Sequence, residues 1–589
     1  MRSIVVLTLL ATALAIAVPM QTMTVLPDDG KVLPSSPQVG SGPSRQARFT
    51  IGTVDTVGGT TYDWGANGPA LRMLTRTPGR GVHVLFMYSL ETSNTAFPDR
   101  NMRYNFYDYG PRTWNWVDPD FMQSGVNTFS YRTGYGCMDV DTNGKAIISA
   151  HHSTGSGTAD IAPVLARDAD VGAGIFEYAP GESSAINNYE WPWVGVNMNG
   201  AYQLAMIDAN NQNNLFWSRS TEWKTYDAAV SLPSPQPEPL FPDHNMTTSK
   251  VPGSNKLCVS WVGSAEAGYQ QDPGFYRESP DGGGNWDPPV DIGFPPAFTP
   301  GSETLPSFHI TSLFPMYDKN DNLHIVGNVG PYVRDTNWIL PGQIWHWCAA
   351  NPDTWSLIRI AAPESLNAAV GYNAMICDRP SLGEDEWGNL FVAWEEFDGV
   401  NVEPTTSRVR GDIWYTSSTD NGITWATETK ITDGGEVSYR FPSILSPIGD
   451  TVMVAYLIDQ IAGFFLYAEG PATSNPVVVQ KWANMYAPGV EGPKSVPPGR
   501  MDIAVSPNPF GRSTRLSYAV PRRGNVSLTV FDAAGRTVRT LASGRSEPGR
   551  FSAVWDGRSQ SGAMVPNGVY LYRFAFEDKR MTGKVTLTR

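Results

Sequence analysis

Residues Ser417–Trp425 read SSTDNGITW and follow the strand-like run Ile413–Thr416. The spacing of Ser418, Asp420, Gly422, Thr424 and Trp425 suits either of two devices. One is an acidic catalytic or metal-binding loop, the other a structural turn that repeats. A second version, Ser279-x-Asp281-x-Gly283-x-Asn285-Trp286, stands upstream, and a looser one runs from Asp108-x-Gly110 to Thr113-Trp114. One active site needs only one such loop, so recurrence favours the turn. The residue types fit: short Asp and Ser side chains bond nearby backbone N–H groups, Gly permits positive φ, and Trp buries apolar area against a neighbouring sheet.

The unit that carries this turn also recurs. Seven copies of strand, Gly/Asn/Asp turn and apolar strand start at Met73, Cys137, Val194, Thr247, Pro315, Pro380 and Pro442. Their spacing of roughly 55–70 residues suits four-stranded sheets with variable loops. Continuous apolar strands, Leu390–Trp394 and Val452–Tyr456, fit sheets covered on both faces. The composition agrees. With 57 Gly, 47 Pro, 19 Trp and only 17% charged residues, the chain favours short strands and tight turns over long charged helices. Its 589 residues call for more than one domain.

Ser418–Trp425 resembles the Asp-box, or bacterial neuraminidase repeat, of sialidase-like β-propellers, and Ser279–Trp286 departs from it only at Asn285. The resemblance implies an all-β fold, a seven-bladed propeller with six blades as the alternative, over residues 49–485. It is specific for the fold and weak for the chemistry, because Asp-boxes also occur in many proteins that are not sialidases.

The ends of the chain read differently. Met1-Arg2 followed by the apolar run Ile4–Val18 is a secretory signal, assigned to residues 1–22, and a Pro/Ser/Gly-rich linker follows over 23–48. No later run is long and apolar enough to span a bilayer as a helix. A second Pro/Gly-rich linker, 486–500, precedes a compact alternating pattern over 501–589, a small antiparallel sandwich of six or seven strands. Its Ser506-Pro507-Asn508-Pro509-Phe510, Trp555-Asp556-Gly557 and Pro566-Asn567-Gly568-Val569-Tyr570 resemble the C-terminal sorting domain of type IX secretion cargo and the Ig-like domain of flagellar hook-capping proteins. That likeness implies the type IX secretion machinery as a partner and a cell-surface or extracellular location.

For chemistry, the sequence offers candidates and no complete site. A net charge of −14 argues against nucleic acid as a ligand. Asp139-x-Asp141-x-Asn143-Gly144 copies half of an EF-hand loop, but Ala150 stands where the bidentate Glu belongs. It and Asp318–Asn322 read as hairpin turns, and no metal or cofactor is expected. The four cysteines are widely spaced, so buried thiols are favoured over a Cys348–Cys377 bridge. Glu395-Glu396 reads as a strand end and Glu384–Glu386 as a solvated turn. Tyr439-Arg440-Phe441-Pro442 resembles the arginine motif of sialidases, and Asp378-Arg379-Pro380 repeats it. Arg379 and Arg440, read as standing at equivalent places in adjacent repeats, together with Arg132 and Arg72, are the candidate ligand-binding residues. Their other reading is that Arg-Pro-Ser is how a blade begins. Two functions stay open: a surface propeller that binds glycan, protein or matrix, and an exo-acting sialidase-type glycoside hydrolase.

Overall fold

The computed structural model describes residues 49–487 and 502–588, apart from 67, 153–160, 180–187, 234–237, 265–272, 296–307, 332–338, 364, 507, 509, 512–513, 521, 547–548 and 578. The expected signal peptide, the first linker and nearly all of the second lie outside the described residues. The chain divides into two compact units between Trp482 and Ala483.

Among its described residues the first unit holds seven antiparallel sheets, five of four strands and two of five. They are numbered here as blades I–VII. Their first strands are Leu74–Thr77, Met138–Val140, Tyr189–Val196, Glu238–Thr248, Phe308–Tyr317, Cys377–Glu384 and Ser438–Ile444. Each leads through a tight turn into a long apolar strand, such as Gly81–Tyr88 in blade I or Thr451–Asp459 in blade VII. Both of these are buried almost throughout, because each blade is covered by its neighbours on both faces. Residues of all seven first strands or the turns that follow them line one cavity, which places those strands around a common axis.

Adjacent first strands are tied by one repeated device. Ser443 Oγ accepts from Met73 N, Ser381 Oγ from Ile444 N, and Cys137 Sγ from Val194 N. The ring is closed by the N-terminal strand Thr53–Thr60, which pairs with Asn475–Ala483 and supplies the outer strand of blade VII. All four cysteines are buried thiols.

The second unit is a sandwich. One sheet pairs Asp502–Ser506, Thr514–Val520 and Gly549–Trp555; the other has the order Thr537–Ser546, Gly524–Phe531, Gly568–Phe576, Lys579–Leu587. Leu516, Tyr518, Leu528, Val530, Trp555 and Phe574 fill its core, as their alternation in sequence requires. Among the described residues of the chain no helix is long and apolar enough to cross a membrane.

Candidate functional site

The two turns read from the sequence as Asp-boxes are closed by their own side chains. Ser418 Oγ accepts from Gly422 N at 2.9 Å, and Asp420 accepts from Thr424 N at 2.9 Å and from Thr424 Oγ1 at 2.5 Å. Ser279 and Asp281 repeat this on Gly283 and Asn285, where the Asn285 amide stands in for the Thr hydroxyl. Gly422 has φ +80°, and a Cβ there would lie 2.1 Å from His346 of blade V; one on Gly283 (φ +92°) would lie 1.9 Å from Trp217 of blade III. Trp425 donates to Ser356 of blade V, and Trp286 packs edge-on against Trp217. Each box therefore grips the preceding blade.

Asp141 and Asp318 sit at hairpin turns: each carboxylate accepts from the backbone N–H groups two and four residues on. His151 is buried and its neighbour His152 is half-buried, as alternation along a strand demands.

The arginines fall into three places. Strand register corrects the pairing of Arg379 with Arg440. Ser381 lies opposite Ala393 and Ser443 opposite Ala455, so Arg440 matches Asp378, while Arg379 matches Phe441. A bulge in each strand still brings the two guanidinium groups together, on Glu395. Arg379 Nη1 donates to Glu395 at 2.7 Å and to Asp378 at 3.0 Å, and Arg440 donates through Nε and Nη2 at 3.1 and 3.2 Å. Both are 1–2% exposed, under the rings of Trp64, Phe441 and Phe464. The anion these arginines share is a carboxylate of their own chain. Burial alone would raise the Glu395 pKa, but Arg440 and Arg379 outweigh it and hold it down. The strand expected to end at Glu395-Glu396 runs on to Glu403, which is why Glu395 is buried. Glu384 and Asp385 are buried too, so only part of the expected solvated turn faces water.

Arg72 spans the axis, from blade I to the carbonyls of Val194 at 3.5 Å and Met246 at 3.2 Å in blades III and IV. Arg132 donates to the carbonyls of Phe97 and Ala96 at 3.1 and 2.9 Å. It stands at the upper end of the ring, where the first strands begin.

That end also gathers residues the sequence did not single out. Arg100 is fully buried, donates to the Thr133 carbonyl, and lies 5.5 Å from the Tyr62 ring centre and 5.0 Å from that of Tyr135. The Tyr62 and Tyr135 hydroxyls are 2.5 Å apart, and Arg100 Nη2 is 3.4 Å from His151 Nε2. Burial, then the charge of Arg132, pulls the Arg100 pKa down to about 9. Burial, then Arg100 and Arg132, holds His151 well below its usual range, so its imidazole is neutral at pH 7. Burial pushes both phenols upward, so they stay protonated. Beside them, half-buried Tyr131 packs against His152 and Tyr178, with Phe129 stacked on Tyr178. Tyr135, Trp191, Arg379 and Phe441 each stand at the bulge of a first strand or just before it, at φ +50° to +58°, a backbone region of order 1–3 kcal/mol above the usual ones. Three of the four are followed by Pro, two of them in the motif read as a sialidase arginine site; the signal marked a bulge that the first strands of several blades share.

Comparisons with known proteins bear on the two units differently. Residues 513–578 match the FlgD Ig-like domain. The second unit is therefore similar to that domain. No curated protein matches the chain. Among solved structures, it is similar to an ulvan lyase bound to -[GlcA(1-4)Rha3S]-, with 11% identity, a TM-score of 0.45 and coverage of 75% of this chain and 96% of that one. It is also similar to a Penicillium chrysogenum alpha-L-arabinanase (12%, 0.35, 62% and 94%) and to a Hadza microbial sialidase (13%, 0.34, 65% and 73%). At these values the likenesses carry no argument about chemistry.

Proposed function

We propose that this is an exported surface protein whose propeller binds an acidic carbohydrate at its upper end, and whose C-terminal unit is its sorting domain. The observation that carries the reading is the pairing of Arg100 and Arg132. Arg132 is held on the Ala96 and Phe97 carbonyls and Arg100 on the Thr133 carbonyl, so each guanidinium is anchored on the loop that carries the other, beside His151 and a half-buried aromatic group of Tyr131, Tyr178 and His152. Like charges held together favour an anion between them. Aromatic faces beside them offer a platform for the apolar face of a sugar ring, with polar groups fixing its orientation. The hydrolase reading gains nothing from Arg379 and Arg440, which are committed to Glu395.

Calorimetric titration with uronate-containing and sulfated oligosaccharides tests the site. Arg132→Ala and Tyr131→Ala should each weaken binding about tenfold, in line with losing a charge-assisted or stacking contact. Equal binding of neutral sugars, or wild-type affinity in both variants, would remove the site. A fluorogenic sialoside added to the same protein checks for turnover. Deleting 501–589 should strand the propeller in the periplasm of the native host; normal surface display would end the sorting role.

A further inference from the structure

The opposite end of the axis holds a cavity of about 710 Å³. This is within the range of small-molecule sites, roughly 300–1,000 Å³. Its mouth is formed by the turns that end the first strands, including Pro78, Asn143, Pro252 and Pro447. Its wall is an apolar belt with a residue from most blades: Leu74, Val140, Val196, Phe314, Leu382 and Ile444. Its inner end is barred by Arg72, whose hydrogen-bond partners among the described residues are the Val194 and Met246 carbonyls. Two carbonyls from different blades fix this guanidinium without neutralising it. Asp139, an acid of the same cavity wall, is bonded to Lys250 Nζ at 2.6 Å. Lys250 feels Arg72 as a second positive charge. The Lys250 ammonium, reaching in from the mouth turn to Asp139 and the Val196 carbonyl, and the Arg72 guanidinium are thus two cations beside one carboxylate along the apolar tube.

We propose that this cavity is a second ligand site, for an amphiphile with an anionic head: an alkyl or aryl carboxylate whose carboxylate meets Arg72 and whose apolar body lies along the belt. The other charged residues that line the cavity, among them Arg76 paired with Glu386 and the acids Asp141, Asp318 and Glu384, lie at the strand ends and turns of the mouth. A neutral or cationic amphiphile gains the belt and not the head contact; a cationic one also meets Arg72 and Lys250 as repulsion. The site is independent of the carbohydrate reading, since it shares no residue with it.

The test is titration of the full chain with dodecanoate below its micellar concentration, against dodecylamine and acetate. One dodecanoate should bind per chain, at least about tenfold tighter than dodecylamine, with acetate undetectable, since a charge-assisted bond adds to the shared apolar burial. Arg72→Met should lower the affinity about tenfold or more, and Arg72→Lys less. Val140→Trp, which fills the half-open belt without touching Arg72, should abolish binding in a protein that melts cooperatively. The proposal is overturned if dodecylamine binds equally well, or if Val140→Trp and Arg72→Lys both keep wild-type affinity. The last two variants decide the matter even where Arg72→Met does not fold.

Discussion

Glu395 is the residue on which two blades depend. It lies in blade VI, yet it accepts from Arg440 and the Phe441 N–H of blade VII as well as from Arg379. Glu395→Gln would leave two buried guanidinium groups without their shared counter-charge. Breaking a buried ion network from one side costs roughly 3–5 kcal/mol, and chemical denaturation should read a loss of that size. A loss below about 1 kcal/mol would mean that Asp378 alone suffices. Asp63 makes the opposite case. Its carboxylate is fully buried and accepts from Phe465 N, while Oδ1 has no hydrogen-bond partner among the described residues. Burial, only partly offset by the Phe465 N–H, pushes its pKa up to about 7. The folded state therefore holds a proton that the unfolded chain releases near pH 4. Stability from this group is greatest below pH 4 and falls as the pH climbs to 7. Asp63→Asn should remove that decline, gaining on the order of 2–4 kcal/mol at pH 8 and little at pH 4. Parallel profiles for the two proteins would show that Asp63 is not the titrating group.

At the scale of the element, the same joint is built twice with different chemistry. In blade III, Gln203 bonds Asn197 and Trp217, and Trp217 carries the box of blade IV. In blade V, His324 and His346 hold the corresponding places. Asp318, His324, His346 and Ser356 form a chain with separations of 3.4, 2.8 and 3.1 Å, ending under Trp425. Burial alone would lower the His324 pKa, but its bonds to Asp318 and Cys348 raise it to about 9. Its contribution is thus complete below about pH 6.5 and lost as the pH rises through 9. His324→Gln, which copies blade III, should flatten the stability profile between pH 7 and 10, checked by thermal melts across that range. An unchanged alkaline fall would assign it to another group. The boxes themselves were legible, because Ser-x-Asp-x-Gly-x-Thr-Trp is local: every bond that closes the turn lies within seven residues. The relay beneath them was not, since Asp318, Ser356 and Trp425 meet only after two blades have packed. Arg379 and Arg440 fail for a related reason. Their spacing was visible, but a one-residue bulge decides which face each side chain takes, and no sequence period records it.

At the scale of the molecule, the count of seven repeats was legible because each blade must supply its own turn and its own apolar strand. Ring closure was not. Thr53–Thr60, TVDTVGGT, lacks the apolar run of the other strands and completes a blade more than 400 residues away in sequence. Its fit is specific. Gly58 and Gly59 let the strand lie close to its neighbours, since a Cβ on Gly58 would come within 2.1 Å of the Phe86 ring. Asp55 joins Lys481 of the partner strand to Trp114 of blade I, and Asn105 of blade I donates to the Val57 carbonyl at 3.0 Å. The strand thus ties blade VII to blade I at their outer rim. Without it, Asn475–Ala483 becomes an uncovered edge, and the ring loses its last joint. A protein starting at Tyr62 should still form its blades but melt lower, by of order 5 °C or more, and should aggregate on heating. A synthetic peptide spanning Phe49–Thr61 should raise the melting point of that shortened protein in a concentration-dependent way, because it binds only the folded ring. The same peptide with Gly58→Val should not, because Phe86 leaves no room for the side chain. A shortened protein that melts with the full chain would show that the ring is held by its axis alone, through the Ser381, Ser443 and Cys137 contacts between first strands.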